Sequence, residues 1–126
     1  MSSFDFTDKS VIISGGGTGI GFEIAKSFVL YGAKVTIAGR RKDVLEETLF
    51  QIKKEIPRSD NKILSTSCDM SNEKSVSSLF KTVQSVFQGI DILINNCGTW
   101  SLGPINELKD SEIDAHFNNI LKSTIL

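Results

Sequence analysis

The chain has 126 residues, 40% of them hydrophobic and 23% charged, and its 14 Lys plus Arg nearly balance 15 Asp plus Glu for a net charge of −1. This suits a single globular domain, residues 1–126, and leaves nucleic acid little electrostatic hold. Cys68 and Cys97 form no Cys-x-x-Cys pattern, His116 is the one histidine, and Met1–Ser10 has no apolar core. A reduced, cytoplasmic protein without zinc site, secretory signal or membrane span is therefore expected.

Val11-Ile12-Ile13-Ser14 is β-branched and runs into three glycines, so it predicts a buried strand. Ile20, Ile24 and Phe28 then recur every fourth residue with Ala25 beside them, predicting a helix face that Gly32 terminates. Val35-Thr36-Ile37-Ala38 predicts the second strand. Asp43 with Glu46 predicts a capping box opening a helix whose apolar face is Leu45, Leu49, Ile52 and Ile56, with Pro57 at its end.

Ile63-Leu64-Ser65-Thr66-Ser67 predicts a third, weaker strand. Ser71 or Asn72 caps the next helix, whose face is Val76, Leu79, Phe80, Val83, Val86 and Phe87, with Gly89 as its stop. Asp91-Ile92-Leu93-Ile94 is apolar on consecutive residues, as in a strand covered on both faces. After Gly103-Pro104 a last helix starts near Ser111, with Ile113, Phe117, Ile120, Leu121 and Thr124 on one side. The order β-α-β-α-β-α-β-α predicts an α/β fold, a Rossmann-like doubly wound parallel sheet truncated to about four strands. Its ligand crevice lies at the carboxyl ends of those strands.

The loop after strand one, Ser14-Gly15-Gly16-Gly17-Thr18-Gly19-Ile20-Gly21, leads into a helix whose free N–H groups suit a phosphate. A P-loop is excluded, because Phe22 and Glu23 stand where it needs Lys and Ser/Thr. Gly-x-Gly-x-x-Gly fails in either register, since its last position falls on Ile20 or Phe22. The spacing that fits is Ser-Gly-x-x-x-Gly-x-Gly. Two more motifs follow strands three and four: Cys68-Asp69-Met70 and Asn95-Asn96-Cys97-Gly98.

With these three motifs in that order, the chain resembles the short-chain dehydrogenase/reductase family over essentially its whole length. The resemblance implies a dinucleotide cofactor whose pyrophosphate lies over Ser14, Gly15, Gly17, Thr18, Gly19, Ile20 and Gly21. It implies an adenine contact at Asp69 beside Met70. Asp69 could also cap the helix near Ser71. Asn95 would support the sheet and the cofactor ribose, and with Asn96 could pin the loop leaving strand four. Cys97 would fill the family's Ala slot, Gly98 would let the nicotinamide-side ribose approach, and Trp100 and Leu102 would lie near a substrate cleft; the alternative is that Trp100 only covers a loop.

NAD-binding sites usually carry an acid after strand two. This chain has Ala38-Gly39-Arg40-Arg41-Lys42, and arginine can hold a ribose 2′-phosphate that an acid would repel. NADP is thus expected before NAD, with Arg40 first and Arg41 second. The alternative is that both are solvated charges opening a helix. Thr18 departs from the basic residue that many NADP-dependent relatives carry before the second motif glycine.

The family's catalytic Tyr-x-x-x-Lys is missing. The one tyrosine, Tyr31, ends the first helix and has Val35 four residues on. The family's helix asparagine aligns with Ile120, and Asn118 and Asn119 are out of register. The resemblance therefore implies an NAD(P)-dependent oxidoreductase for alcohol/carbonyl interconversion, here as its N-terminal cofactor-binding part, without catalytic residues and inactive alone. The end at Leu126 reads as a truncation that bares strand four as an apolar edge open to self-association. The alternative function is a non-catalytic nucleotide-binding or interaction module completed by a partner. A methyltransferase-like domain is disfavoured by Arg40, and a Ser-His-Asp triad lacks a nucleophile elbow.

Overall fold

The structure, a computed structural model, describes residues 4–15, 17, 19–96 and 104–117. Four strands alternate with helices: β1 Ser10–Ser14, α1 Gly19–Leu30, β2 Lys34–Gly39, α2 Lys42–Glu55, β3 Ile63–Ser67, α3 Glu73–Phe87, β4 Ile92–Asn95 and α4 Asp110–His116. All pairings are parallel and the sheet order is β3-β2-β1-β4. The chain moves outward from β1 to β3, then returns to the other side of β1. The direction reverses between β1 and β4, which is where such sheets open a crevice.

Alternation along β1 explains the layers. Val11 and Ile13 pack on one face with Ala25 and Val29 of α1 and Leu45 and Ile52 of α2. Ile12 packs on the other face with Val76, Leu79, Val83 and Phe87 of α3. Every β1 residue is buried, as a central strand covered on both faces must be. Strand β4 departs from the expectation of double cover. Ile92 and Ile94 turn into the core, but Leu93 keeps 40% exposure because β4 is an edge among the described residues.

Local signals held where a side chain could act on its own backbone. Gly32 takes φ +93°, and the Ala33 N–H bonds the Phe28 carbonyl at 3.0 Å, closing α1 in a Schellman turn. Asn72 caps α3 by accepting the Ser75 N–H at 2.9 Å. Burial moved other boundaries. The Asp43–Glu46 capping box does not form: α2 starts one residue earlier, with Arg41 in the cap position and no side-chain cap bond, in the phase that buries Leu45. Gln88, at φ +62°, ends α3 instead of Gly89, directly after the buried Phe87.

The α1 face also differs from its periodicity. Gly21, Ala25 and Val29 are buried, whereas Ile20 is 73% exposed and Ile24 and Phe28 are half-buried. Val86 of α3, and Ile113 and Phe117 at α4, are likewise exposed. Helix α4 begins at Asp110, where the Glu112 carboxylate accepts the Lys109 N–H at 2.8 Å. Among the described residues no helix is long and apolar enough to cross a membrane.

Helices α1 and α2 are linked at their outer surface by a 2.8 Å Lys26–Glu55 ion pair, and Gln51 donates to the second Glu55 oxygen. Lys26 and then Gln51 hold the Glu55 carboxyl below the ordinary carboxylate range. At the amino ends of the strands, the Asp91 carboxylate accepts the Ser10 N–H at 2.8 Å and ties β4 to β1.

In the sheet's middle, Thr36 is fully buried and its hydroxyl has no hydrogen-bond partner among the described residues. An unmet buried hydroxyl costs about 1–3 kcal/mol. Thr36→Val keeps the β-branched shape, so it should stabilise the chain by about 1 kcal/mol. Thermal unfolding checks this; a lower midpoint would mean that the hydroxyl is satisfied.

Candidate functional site

The carboxyl ends of β2 and β4 meet the turn between β1 and α1, and the end of β3 joins that of β2. The Gly15 N–H bonds the Ala38 carbonyl at 2.8 Å, and the Cys68 N–H bonds the Gly39 carbonyl at 2.7 Å. Ser14 is in register with Asn95 across the β1–β4 switch point. The Ser14 hydroxyl accepts the Asn96 N–H at 3.0 Å, and the Asn96 side-chain amide donates to the Gly15 carbonyl at 3.2 Å. Asn96 thus pins the turn. Of the two asparagines expected to pin this loop, Asn96 makes the bonds, and Asn95, the residue expected at the ribose, is exposed. The doubled asparagine after the strand was the signal for this.

Gly15 takes φ +67° and Gly19 φ +58°, backbone conformations that L side chains rarely adopt. Gly21 is required for a different reason. A Cβ there would lie 2.2 Å from the Gly15 carbonyl oxygen and 2.7 Å from the Asn96 amide nitrogen. Helix and turn therefore touch backbone to backbone, which brings the first turn of α1 under the loop. A Cβ on Gly19 would meet nothing within 4 Å, so the cradle is open there. The carbonyls of Gly15 and Gly17 are both occupied by protein donors, Asn96 and Thr48. With those oxygens held by the protein, the free N–H groups at the start of α1 can face an anion.

Arg40 and Arg41 follow β2 immediately, are exposed, and form no ion pair among the described residues. The Ser67 hydroxyl donates to the Arg40 carbonyl at 3.3 Å, which ties this corner to β3. Past β3, Cys68 and Met70 turn into the α3 core while Asp69 stays half-buried between them. Asp69 does not cap α3, since Asn72 does. Its carboxylate instead accepts the Ser71 N–H at 2.9 Å and the Ser71 hydroxyl at 2.6 Å, which holds the turn into that helix. Met70 can offer a ligand only its backbone, because its side chain is core. The structure therefore gathers Ser14, Gly15, Gly17, Gly19, Ile20 and Gly21 at one turn, with Arg40, Arg41, Asp69 and Asn95 at neighbouring strand ends. Thr18, Cys97, Gly98, Trp100, Leu102, Asn118, Asn119, Ile120, Leu121 and Thr124 lie outside the described residues, as does the side chain of His116.

A parallel sheet with helices on both faces and a glycine turn at the switch point defines an α/β domain of the Rossmann type. Comparison with known proteins narrows the class. The family model for short chain dehydrogenases matches residues 9–126. An uncharacterised oxidoreductase of Staphylococcus aureus (strain N315) is 34% identical over 119 residues, which is 94% of this chain and 49% of that protein. A short chain dehydrogenase from Bacillus anthracis superposes with a TM-score of 0.86 at 34% identity, covering 94% of this chain and 47% of that one. L-Sorbose reductase from Gluconobacter frateurii, solved with NADPH and L-sorbose, superposes with a TM-score of 0.87 at 27% identity, over 98% of this chain and 46% of that one.

The chain belongs to the short-chain dehydrogenase family. It spans about half the length of the curated relatives it matches. The family implies a nicotinamide dinucleotide, which when bound supplies or accepts a hydride. The residues present fit that group, since the turn holds Gly15 and Gly19 in left-handed backbone and leaves open space at Gly19 beside the start of α1.

Gly21→Ala and Gly19→Ala separate the two glycine requirements. Gly21→Ala should cost more than about 2 kcal/mol of stability, since a backbone carbonyl must move. Gly19→Ala should cost about 1 kcal/mol, the penalty of a left-handed residue in open space. Denaturant unfolding of both variants decides, and the reverse ranking would contradict the packing described.

Proposed function

We propose that this chain is the cofactor-binding part of an NADP-preferring reductase that interconverts alcohols and carbonyls by hydride transfer. The observation that carries the preference is the exposed pair Arg40 and Arg41 at the end of β2, beside the glycine turn. An anionic 2′-phosphate gains charge-assisted bonds there, and no acid is present at that strand end to favour a bare ribose 2′-OH. The pyrophosphate lies over Ser14, Gly15, Gly17, Thr18, Gly19, Ile20 and Gly21, and the adenine beside Asp69 and Met70. The nicotinamide ribose lies against Asn95, Cys97 and Gly98. The chain has no Tyr-x-x-x-Lys, so it binds the cofactor without turning over substrate.

Fluorescence titration with NADPH and NADH tests the reading. The chain should bind NADPH at least about tenfold more tightly than NADH, and Arg40→Ala with Arg41→Ala should remove most of that margin. Equal affinities in the parent chain would overturn the NADP assignment. No binding of either dinucleotide would overturn the cofactor role.

A separate observation supports a second reading, a module completed by a partner or a second copy. Strand β4 is an edge among the described residues, and Leu93 on it and Val86 and Ile90 close to it in the chain are exposed. An unpaired apolar edge favours strand addition. Sedimentation velocity should then give a defined dimer or complex, whereas a monomer at tens of micromolar would count against it.

A further inference from the structure

We propose that Thr48 is a positioning residue for the cofactor: through the Gly17 carbonyl it sets the spacing between the glycine turn and the arginine-bearing start of α2. This rests on the dinucleotide reading above. Thr48 lies in the buried face of α2, between Leu45 and Ile52, and is 4% exposed. Packing alone would favour an aliphatic side chain there, because threonine is a weaker helix former and brings a hydroxyl that must be satisfied. A helical threonine commonly bonds the carbonyl four residues back. Thr48 instead donates across 31 positions of sequence to Gly17, at 2.5 Å.

The same helix face leaves little room for a side chain on the turn at Gly17. A Cβ at Gly17 would lie 3.1 Å from Val44 Cγ1 and 3.5 Å from Leu45 Cδ2. Val44, Leu45 and Thr48 lie side by side on α2, one turn past Arg41, the extended N-cap residue of that helix. A carbonyl oxygen facing the pyrophosphate would repel it. Asn96 removes one such oxygen, Gly15, from the side of the switch point. Thr48 removes the next, Gly17, from the side of α2. The turn is therefore held from two directions, and only the Thr48 arm belongs to the helix that carries Arg41. That arm fixes how far the phosphate at the ribose can sit from the pyrophosphate.

Thr48→Val keeps the shape and loses the donor, while Thr48→Ser keeps the donor and loses the methyl. Amide hydrogen exchange reads the loop without cofactor, and NADPH titration reads the site. Thr48→Val should speed exchange across residues 15–21 about fivefold and weaken NADPH about five- to tenfold, with Thr48→Ser restoring both. If Thr48→Val leaves loop exchange and affinity within about twofold of the parent chain, the proposal is overturned. Equal loosening of β1 and β3 amides also overturns it, because the role is then only structural. If the parent chain binds no NADPH yet Thr48→Val still loosens the loop selectively, the cofactor reading fails while Thr48 stands as the anchor of the turn.

Discussion

The backbone contact between Gly21 and the Gly15 carbonyl is the constraint on which the rest of the site depends. It forces the first turn of α1 beneath the end of β1, because no side chain fits between them. Once that approach is made, the Gly15 carbonyl needs a donor, and Asn96 can supply it only if β4 lies next to β1. The sheet order and the turn thus determine each other. A parallel sheet that grew steadily outward from β1 would place no such amide at the turn.

The same order explains where the chain is apolar and uncovered. Strands β2 and β1 have neighbours on both sides, and helices cover both faces of β1. Strand β4 has one neighbour among the described residues, and Leu93 faces outward. Ile20, Val86 and Ile90 are also exposed. Scattered apolar residues are common on protein surfaces. These stand in the first turn of α1, on α3 and just before β4.

Charge and packing divide the work along α2. The residues that lead into it, Arg40, Arg41 and Lys42, are exposed and basic, and its ion pair with α1 lies at the far end. Between them one face is apolar except for Thr48. The helix therefore presents cations at the strand ends, grips the turn in its middle, and locks to α1 through Lys26 and Glu55 at its last turn.

The order of elements, the parallel sheet and the glycine turn were legible in the residues themselves. β-branched runs, helical periodicity and special backbone positions act over a few residues, and strands β1 to β4 fall within a residue of their predicted ends. Gly32 and Asn72 behaved as expected because each satisfies nearby backbone groups. Only the tertiary structure decided what depends on distant partners. It gave Asn96 and not Asn95 the task of holding the turn, set Asp69 to fold its own loop, and put Thr48 beside Gly17. It also turned the Ile20–Ile24–Phe28 stripe partly outward, since Gly21, Ala25 and Val29 are the small side chains that let α1 lie close on the sheet. Periodicity marks an apolar face, but the closest approach of backbones chooses which edge of that face is buried.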